Sequence, residues 1–108
     1  MSFTMNIYYK GKNGSAKKFA NEMISSKIVD EIRNKEGNLK YEYFMPLEDE
    51  ETILLIDSWK NQESLDKHHE SDTMNKIIEL RNKYDLHMKV ERYCLEDSSD
   101  NDKKYIKD

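Results

Sequence analysis

Three residues of this 108-residue chain have side chains that could act on a small molecule: Asn6, Trp59 and His68. The imidazole of His68 is the best general base in the sequence, because its unperturbed pKa lies near neutral pH. The Trp59 indole N–H could orient a substrate oxygen, and the Asn6 amide could donate to a developing oxyanion. Each residue also has a plainer interpretation: His68 as an exposed helix residue, Trp59 as core, and Asn6 as a polar residue facing away from any pocket.

His68 is followed directly by His69, and adjacent residues on a helix point about 100° apart. Only one of the two can enter a pocket, and we predict that His68 does so while His69 faces solvent. Metal ligands on a helix need i, i+4 spacing, which this pair lacks. The Gly11–Ser15 turn could attract an anion but lacks the spacing of a P-loop, and a turn followed by a helix cap explains it. We expect no metal, flavin or haem.

Alternating and three-to-four-residue apolar spacing predicts the order β-α-β-β-α-β. The predicted strands are Phe3–Lys10, Leu39–Met45, Thr52–Trp59 and Leu86–Cys94. One long apolar stripe predicts a single helix from Ser15, its N-cap, past Ile32, with Gly37 as the C-terminal cap. Asn61 is predicted to cap a short helix, and a further helix starts at Ser71 or Asp72. The simplest packing is an α+β, ferredoxin-like antiparallel sheet with the helices on one face.

The strand predicted over Thr52–Trp59 is apolar on both faces, with Leu54 and Ile56 on one side and Ile53 and Leu55 on the other. The helices can cover only one face of the sheet. A second copy of the chain is the simplest cover for the other face, so we predict a homodimer.

These segments together resemble the antibiotic biosynthesis monooxygenase family, the dimeric α+β barrel proteins. The family pattern is a Glu-x-Gly turn, a Leu-x-Tyr strand, an aliphatic strand ending in Trp, then Leu-Asp-x-His and a Ser one turn later. The matching positions are Glu36–Gly37 without the spacer, Leu39–Tyr41, Ile53–Trp59, Leu65–His68 and Ser71. The resemblance covers about Phe3 to Cys94.

The resemblance implies a homodimer with back-to-back sheets and a pocket between each sheet and its helices. Several members oxidise phenolic or quinol-like substrates with O2 and no cofactor, which makes a monooxygenase the leading hypothesis. We predict that Tyr8, Phe19, Tyr41 and Met74 bind the substrate. The alternatives are an isomerase of a small phosphorylated metabolite on the same fold, favoured by a Lys- or Arg-lined pocket, and a non-catalytic dimeric ligand-binding module.

The chain also departs from the family pattern. Many members carry a second histidine shortly after the serine, where this chain has Thr73. Haem-degrading relatives have Trp at the position of His68 and a His near Ile78, so haem is not expected here.

Composition narrows the class of protein further. The net charge is −4 with acidic and basic residues interspersed, which disfavours nucleic acid as a partner. No apolar run approaches the roughly 20 residues that span a bilayer, and no membrane association is expected. The single Cys94 cannot form an internal disulfide, so we predict a cytoplasmic protein. Residues 1–95 form the predicted domain, and residues 96–108 a polar tail.

Overall fold

The computed structural model describes residues 1–107, which form one four-stranded antiparallel sheet and five helices. The strands are β1 Phe3–Lys10, β2 Asn38–Phe44, β3 Thr52–Trp59 and β4 His87–Tyr93. The helices are α1 Ser15–Ser25, α2 Ile28–Arg33, α3 Gln62–His69, α4 Asp72–Lys83 and α5 Asp100–Lys103. The strand order is β2-β3-β1-β4. The predicted ferredoxin-like α+β fold is therefore confirmed.

The sheet has one face covered by helices and one without such cover. Pairing of β1 with β3 sets Ile7 beside Leu55 and Phe3 beside Trp59, and all four side chains belong to the core under the helices. The opposite face, here called the open face, carries the alternate residues of each strand. Leu54 and Ile56 on this face are only partly buried, although they lie on a central strand.

The predicted long helix is in fact two helices, which corrects the sequence interpretation. The Ser26 hydroxyl donates to the Glu22 carbonyl oxygen at 2.6 Å, and Lys27 takes a left-handed φ of 70°. A serine that bonds to the preceding turn weakens a helix, and a residue with positive φ ends its geometry, so α1 stops at Ser25 and α2 starts at Ile28. The apolar spacing alone did not register this break.

The turn before α1 receives an anion from within the chain. Glu51, in the loop before β3, accepts hydrogen bonds from the backbone N–H groups of Asn13 and Gly14 at 2.6 and 2.8 Å. The N-cap is Gly14 rather than the predicted Ser15, whose hydroxyl accepts from the Lys12 N–H. A carboxylate at this end of a helix satisfies free N–H groups and complements the helix dipole.

The start of α3 is fixed from two sides. The Asn61 side chain accepts from the Ser64 N–H at 2.9 Å, which confirms the predicted cap. Gly37 does not cap α2, which ends at Arg33; instead Gly37 has a φ of +88° and packs against Ser64, whose Oγ would lie 2.2 Å from an added Cβ. This close contact holds α3 against the start of β2.

The C-terminal segment carries the short, exposed helix α5 rather than an entirely irregular tail. Within residues 1–107, no helix has the length and apolar character required to cross a membrane.

Candidate functional site

A cavity of about 200 Å³ lies between the sheet and helices α3 and α4. Most of its wall is apolar, and the cavity reaches the edge strand β4, where Met88 and Val90 are 40% and 51% exposed. Its polar lining consists of Tyr9, Tyr41, Asp57, His68, His69 and Arg81.

A larger hollow of about 610 Å³ lies near Gly11 and Tyr84, away from the predicted site. Within residues 1–107, the only fully buried side-chain nitrogen or oxygen atoms without a hydrogen-bond partner are Trp59 Nε1 and His68 Nδ1. Neither residue lines the larger hollow. His68 lines the smaller cavity, and Trp59 stacks on the His68 ring without lining the cavity itself. Because buried polar groups are normally paired, the unpaired His68 Nδ1 favours the smaller cavity as the candidate site.

His68 lies on the buried side of α3, about one helical turn after the buried Leu65. It is 4% exposed, and its ring stacks on Trp59 with centroids 5.1 Å apart and planes 23° apart. Burial lowers the pKa of His68 to about 4, with smaller contributions from the charges of Lys35 and His69. The imidazole is therefore neutral at pH 7. This removes the reason for choosing His68 as the base, which was its unperturbed pKa.

His69 takes the other direction that the helix allows. Its side chain is exposed at the edge of the cavity, with its ring centroid 5.9 Å from that of His68. The two neighbours thus occupy an inner and an outer position.

Trp59 ends β3, stacks on His68 and is fully buried, without lining the cavity itself. Its indole N–H has no well-formed hydrogen bond, although the N–H is close enough to the Asp57 carboxyl to lower that group's pKa. The plainer interpretation of Trp59 as core is therefore correct for its packing, and the nearest acceptor to its N–H is the Asp57 carboxyl.

Asp57 is a site residue that the sequence interpretation missed. It lies on β3 on the same face as Ile53, Leu55 and Trp59, and it is 4% exposed. Burial raises the pKa of Asp57 to about 7, although the Trp59 N–H and the Asn38 amide act in the opposite direction. The sequence did contain a signal for Asp57. It is the one carboxylate in this strand, and it shares the strand face of the apolar residues Ile53, Leu55 and Trp59.

Two tyrosine hydroxyls complete the inner wall. Tyr9 and Tyr41 are 3% and 2% exposed, and burial raises the pKa of each phenol above its usual value. Tyr41 Oη lies 3.4 Å from Tyr43 Oη. Both phenols therefore stay neutral at physiological pH and can donate hydrogen bonds.

Of the four predicted substrate-binding residues, Tyr41 and Met74 line the cavity. Phe19 does not; it is fully buried behind Tyr9, with ring centroids 4.9 Å apart. Its role is to support the wall rather than to contact a ligand.

Asn6 and Tyr8 lie on the open face, paired with Ile56 and Leu54 of β3. Their side chains point away from the cavity because alternate residues of a strand face opposite sides of the sheet. Within this chain the structure therefore does not bring the predicted oxyanion donor together with His68 and Trp59.

Arg81 on α4 was not predicted, and it supplies the cavity's guanidinium group. Its Nη1 donates to Met88 Sδ at 3.0 Å, and its charge opposes in part the burial that raises the pKa of Tyr9. Among residues 1–107, no group of three or more His, Cys, Asp and Glu side chains is arranged to hold a metal ion.

Comparison with known proteins identifies the family. The family model described as antibiotic biosynthesis monooxygenase matches residues 2–80. No curated protein matches the chain in sequence. Many solved structures share the fold, and three of them illustrate the likeness.

A Deinococcus radiodurans protein proposed to be an antibiotic biosynthesis monooxygenase has a TM-score of 0.75 at 15% identity, covering 93% of this chain and 97% of its own. A conserved Methanosarcina mazei protein has a TM-score of 0.73 at 23% identity, covering 86% and 91%. A variant of SnoaB, a cofactor-independent oxygenase from Streptomyces nogalater, has a TM-score of 0.74 at 5% identity, covering 90% and 95%. At these identities the likeness establishes the fold, while the family model matches well over half of the chain, so the chain belongs to the antibiotic biosynthesis monooxygenase family.

Proposed function

We propose that this protein is a monooxygenase that oxidises a small phenolic or quinol-like substrate with O2 and without a cofactor. The observation that supports this most directly is a largely apolar cavity lined by His68, whose buried Nδ1 has no hydrogen-bond partner and whose ring stacks on Trp59. Such a site excludes water from an electron-rich aromatic ring while directing its hydroxyl group. Membership of the family and the shared fold of SnoaB, a cofactor-independent oxygenase, support the same reaction class.

The reaction needs no external reductant. A phenolic ring gains one oxygen atom from O2, the other oxygen leaves as water, and the ring becomes a quinone. The substrate supplies all four electrons, so the protein has to bind the ring, control its proton and keep bulk water out.

In this proposal His68 and Trp59 position the substrate. The neutral imidazole, as its Nδ1–H tautomer, donates a hydrogen bond to the oxygen of the substrate hydroxyl, and the indole N–H donates to a substrate oxygen. Stacking of the two rings at 5.1 Å fixes both nitrogens relative to each other. Tyr41 and Met74 provide wall surface for the ring.

We also propose that the protein acts as a homodimer in the cytoplasm. The open face carries the apolar side chains of Tyr8, Phe44, Leu54, Ile56 and Tyr93, and Phe44 and Tyr93 are 40% and 50% exposed. A second copy would cover these side chains. The exposed and unpaired Cys94 fits a reducing compartment.

One observation favours a second candidate function. Arg81 places a guanidinium group in the cavity wall, and a cation there suits an anionic substrate such as the phosphorylated metabolite of an isomerase. Competition by simple phosphate esters for the site would favour this candidate, whereas competition by neutral phenols would favour the oxygenase.

The test is O2 consumption with a panel of quinols and catechols. His68→Phe preserves an aromatic ring for stacking on Trp59 but removes both nitrogens. Lys67→Ala alters an exposed position of the same helix that does not line the cavity, and it serves as the control. Loss of one hydrogen bond to a buried hydroxyl should lower kcat/KM by about ten- to a hundredfold in the first variant. The control should retain near wild-type turnover.

If the wild type oxidises no member of the panel, the oxygenase proposal is rejected and a non-catalytic ligand-binding module becomes the favoured function. Equal turnover by wild type and His68→Phe would reject the positioning role of His68. Between about pH 6 and 9 the charge of His68 does not change, because its pKa is about 4. Any pH dependence of the rate in that range must come from another group.

A further inference from the structure

The cavity contains a buried carboxyl group without a cationic partner. Asp57 is 4% exposed and lines the wall that also carries His68. In the described part of the chain it takes part in no salt bridge. Its polar neighbours are the Trp59 indole N–H, which lowers the pKa of the carboxyl without forming a well-formed hydrogen bond, and Asn38, whose Nδ2 lies 3.4 Å from Oδ1, a long contact. A carboxylate in this setting is poorly stabilised in its charged form.

This environment makes Asp57 suitable for proton exchange. A carboxyl whose burial raises its pKa to about 7 is ionised in part of the molecules near neutral pH and can accept a proton there. His68 accepts a proton far less readily, since its pKa is about 4. The neutral phenols of Tyr9 and Tyr41 can donate hydrogen bonds but do not compete for the proton.

We propose that Asp57 is the proton acceptor of this cavity, taking the proton of a phenolic hydroxyl whose oxygen is held by His68 and Trp59. The phenolic O–H bond breaks, a new O–H bond forms on a carboxylate oxygen of Asp57, and the electron pair stays on the phenolate oxygen. The neutral carboxyl then lies beside an electron-rich anion, the form of the substrate that reacts with O2. This inference deepens the proposed function and rests on it for the identity of the substrate class.

The electrostatic surroundings are compatible with this transfer. The phenolate forms in a cavity that holds the Arg81 guanidinium, which favours an anion. Three tyrosines interact electrostatically with Asp57: Tyr9 on β1, and Tyr41 and Tyr43 on β2. The other titratable or charged groups that line the cavity with it are His68 and His69 on α3, and Arg81 on α4.

A structural role is the competing explanation: Asp57 would only order the side chains of Asn38 and Trp59. The two roles differ in how the binding of a phenolate depends on pH. If the phenolate sits beside Asp57, binding requires that Asp57 be protonated, so affinity falls as pH rises above the pKa of this carboxyl. An Asp57 that only orders its neighbours, and does not contact the bound phenolate, produces no such linkage.

The experiment measures the binding of 4-nitrophenol, which is ionised above neutral pH and not readily oxidised, between about pH 7.5 and 9. Wild type should lose affinity by about tenfold per pH unit and take up a proton on binding. Asp57→Asn keeps the side-chain shape but cannot be protonated in this range, so its affinity should hardly change with pH. The exposed Asp30 of α2 offers a matched control, Asp30→Asn, which should behave as wild type.

Turnover supplies the second readout. Asp57→Asn should lower kcat/KM for the best quinol or catechol by about 10²–10⁴-fold and flatten its rise with pH through about 7. Asp57→Glu should recover part of the rate, because it restores a carboxyl at a shifted position. A merely structural carboxyl would not produce this pH profile or its partial recovery.

The outcomes separate the two proposals. Turnover together with pH-independent phenolate binding overturns the role of Asp57 but preserves the oxygenase. Proton-linked binding without turnover supports Asp57 as a proton acceptor and rejects the oxygenase. If wild type binds no 4-nitrophenol and oxidises none of the panel, both proposals fall.

Discussion

Asp57→Asn should stabilise the folded chain, and increasingly so as pH rises. Asparagine has nearly the same shape as aspartate and carries no charge, so it removes the cost of ionising a carboxyl that is 4% exposed. This prediction concerns the folding energetics of the site and needs no substrate.

The size of the effect follows from two pKa values. The pKa of Asp57 rises from 3.8 to about 7 on folding, and a difference of one in pKa corresponds to about 1.4 kcal/mol. Because the folded-state value is raised, the wild type loses stability as pH increases from about 4 to about 7 and then levels off. The full loss is about 4 kcal/mol, of which about 3 kcal/mol develops between pH 5 and 9.

The assay is urea unfolding at fixed protein concentration, which keeps any dimerisation constant between samples. The stability difference between Asp57→Asn and wild type should be about 3 kcal/mol larger at pH 9 than at pH 5, or on the order of 1–2 M in the urea midpoint. Asp30→Asn controls for the loss of an exposed carboxylate and should show almost no pH-dependent difference. A stability difference for Asp57→Asn that is constant across this pH range would refute the argument that burial perturbs this carboxyl.

Three further predictions address the assembly, the chain turn beside the site and the cofactor. Leu54→Glu on the open face should convert a homodimer of the 13.0 kDa chain into monomers, because a buried unpaired charge is costly. Light scattering measures the mass, and the exposed Glu79→Gln is the control. A monomeric wild type would contradict the predicted homodimer. Gly37→Ala should lower the free energy of unfolding, measured in urea, by about 2 kcal/mol or more. Gly37 has a φ of +88°, and an added Cβ would lie 2.2 Å from Ser64 Oγ. Gly14 also has positive φ but has open space around it, so Gly14→Ala should cost less. The purified protein should show no visible absorption band and less than one transition-metal ion per chain by elemental analysis, and a stoichiometric flavin, haem or metal would reject a cofactor-free mechanism.

Local sequence patterns were sufficient to predict most of the fold. Strand β3 matches its predicted span, Thr52–Trp59, since both turn signals and apolar residues mark its ends. The Asn61 cap was predicted because a capping side chain acts within three residues of its own position. The break between α1 and α2 was not predicted, because both helices carry the same apolar stripe. The interruption depends on the positive φ of Lys27, which the sequence does not reveal. The hydrogen bonds from Asn13 and Gly14 to Glu51 could not be predicted from local patterns either, because they join residues separated by 38 and 37 positions in the sequence.

The candidate site divides in the same way. The sequence determined that His68 and His69 must point apart and that Trp59 ends a buried strand, because helix and strand periodicity fix both relations. Only the tertiary structure decided that Asn6 faces away from the cavity, since alternation within a strand does not say which set of side chains the helices will cover. The same packing buried Asp57 without a cationic partner. It raised the pKa of Asp57 and lowered that of His68, because both pKa shifts arise mainly from desolvation in the folded chain. The sequence thus supplied the chemical groups, while burial by the folded chain set their protonation states.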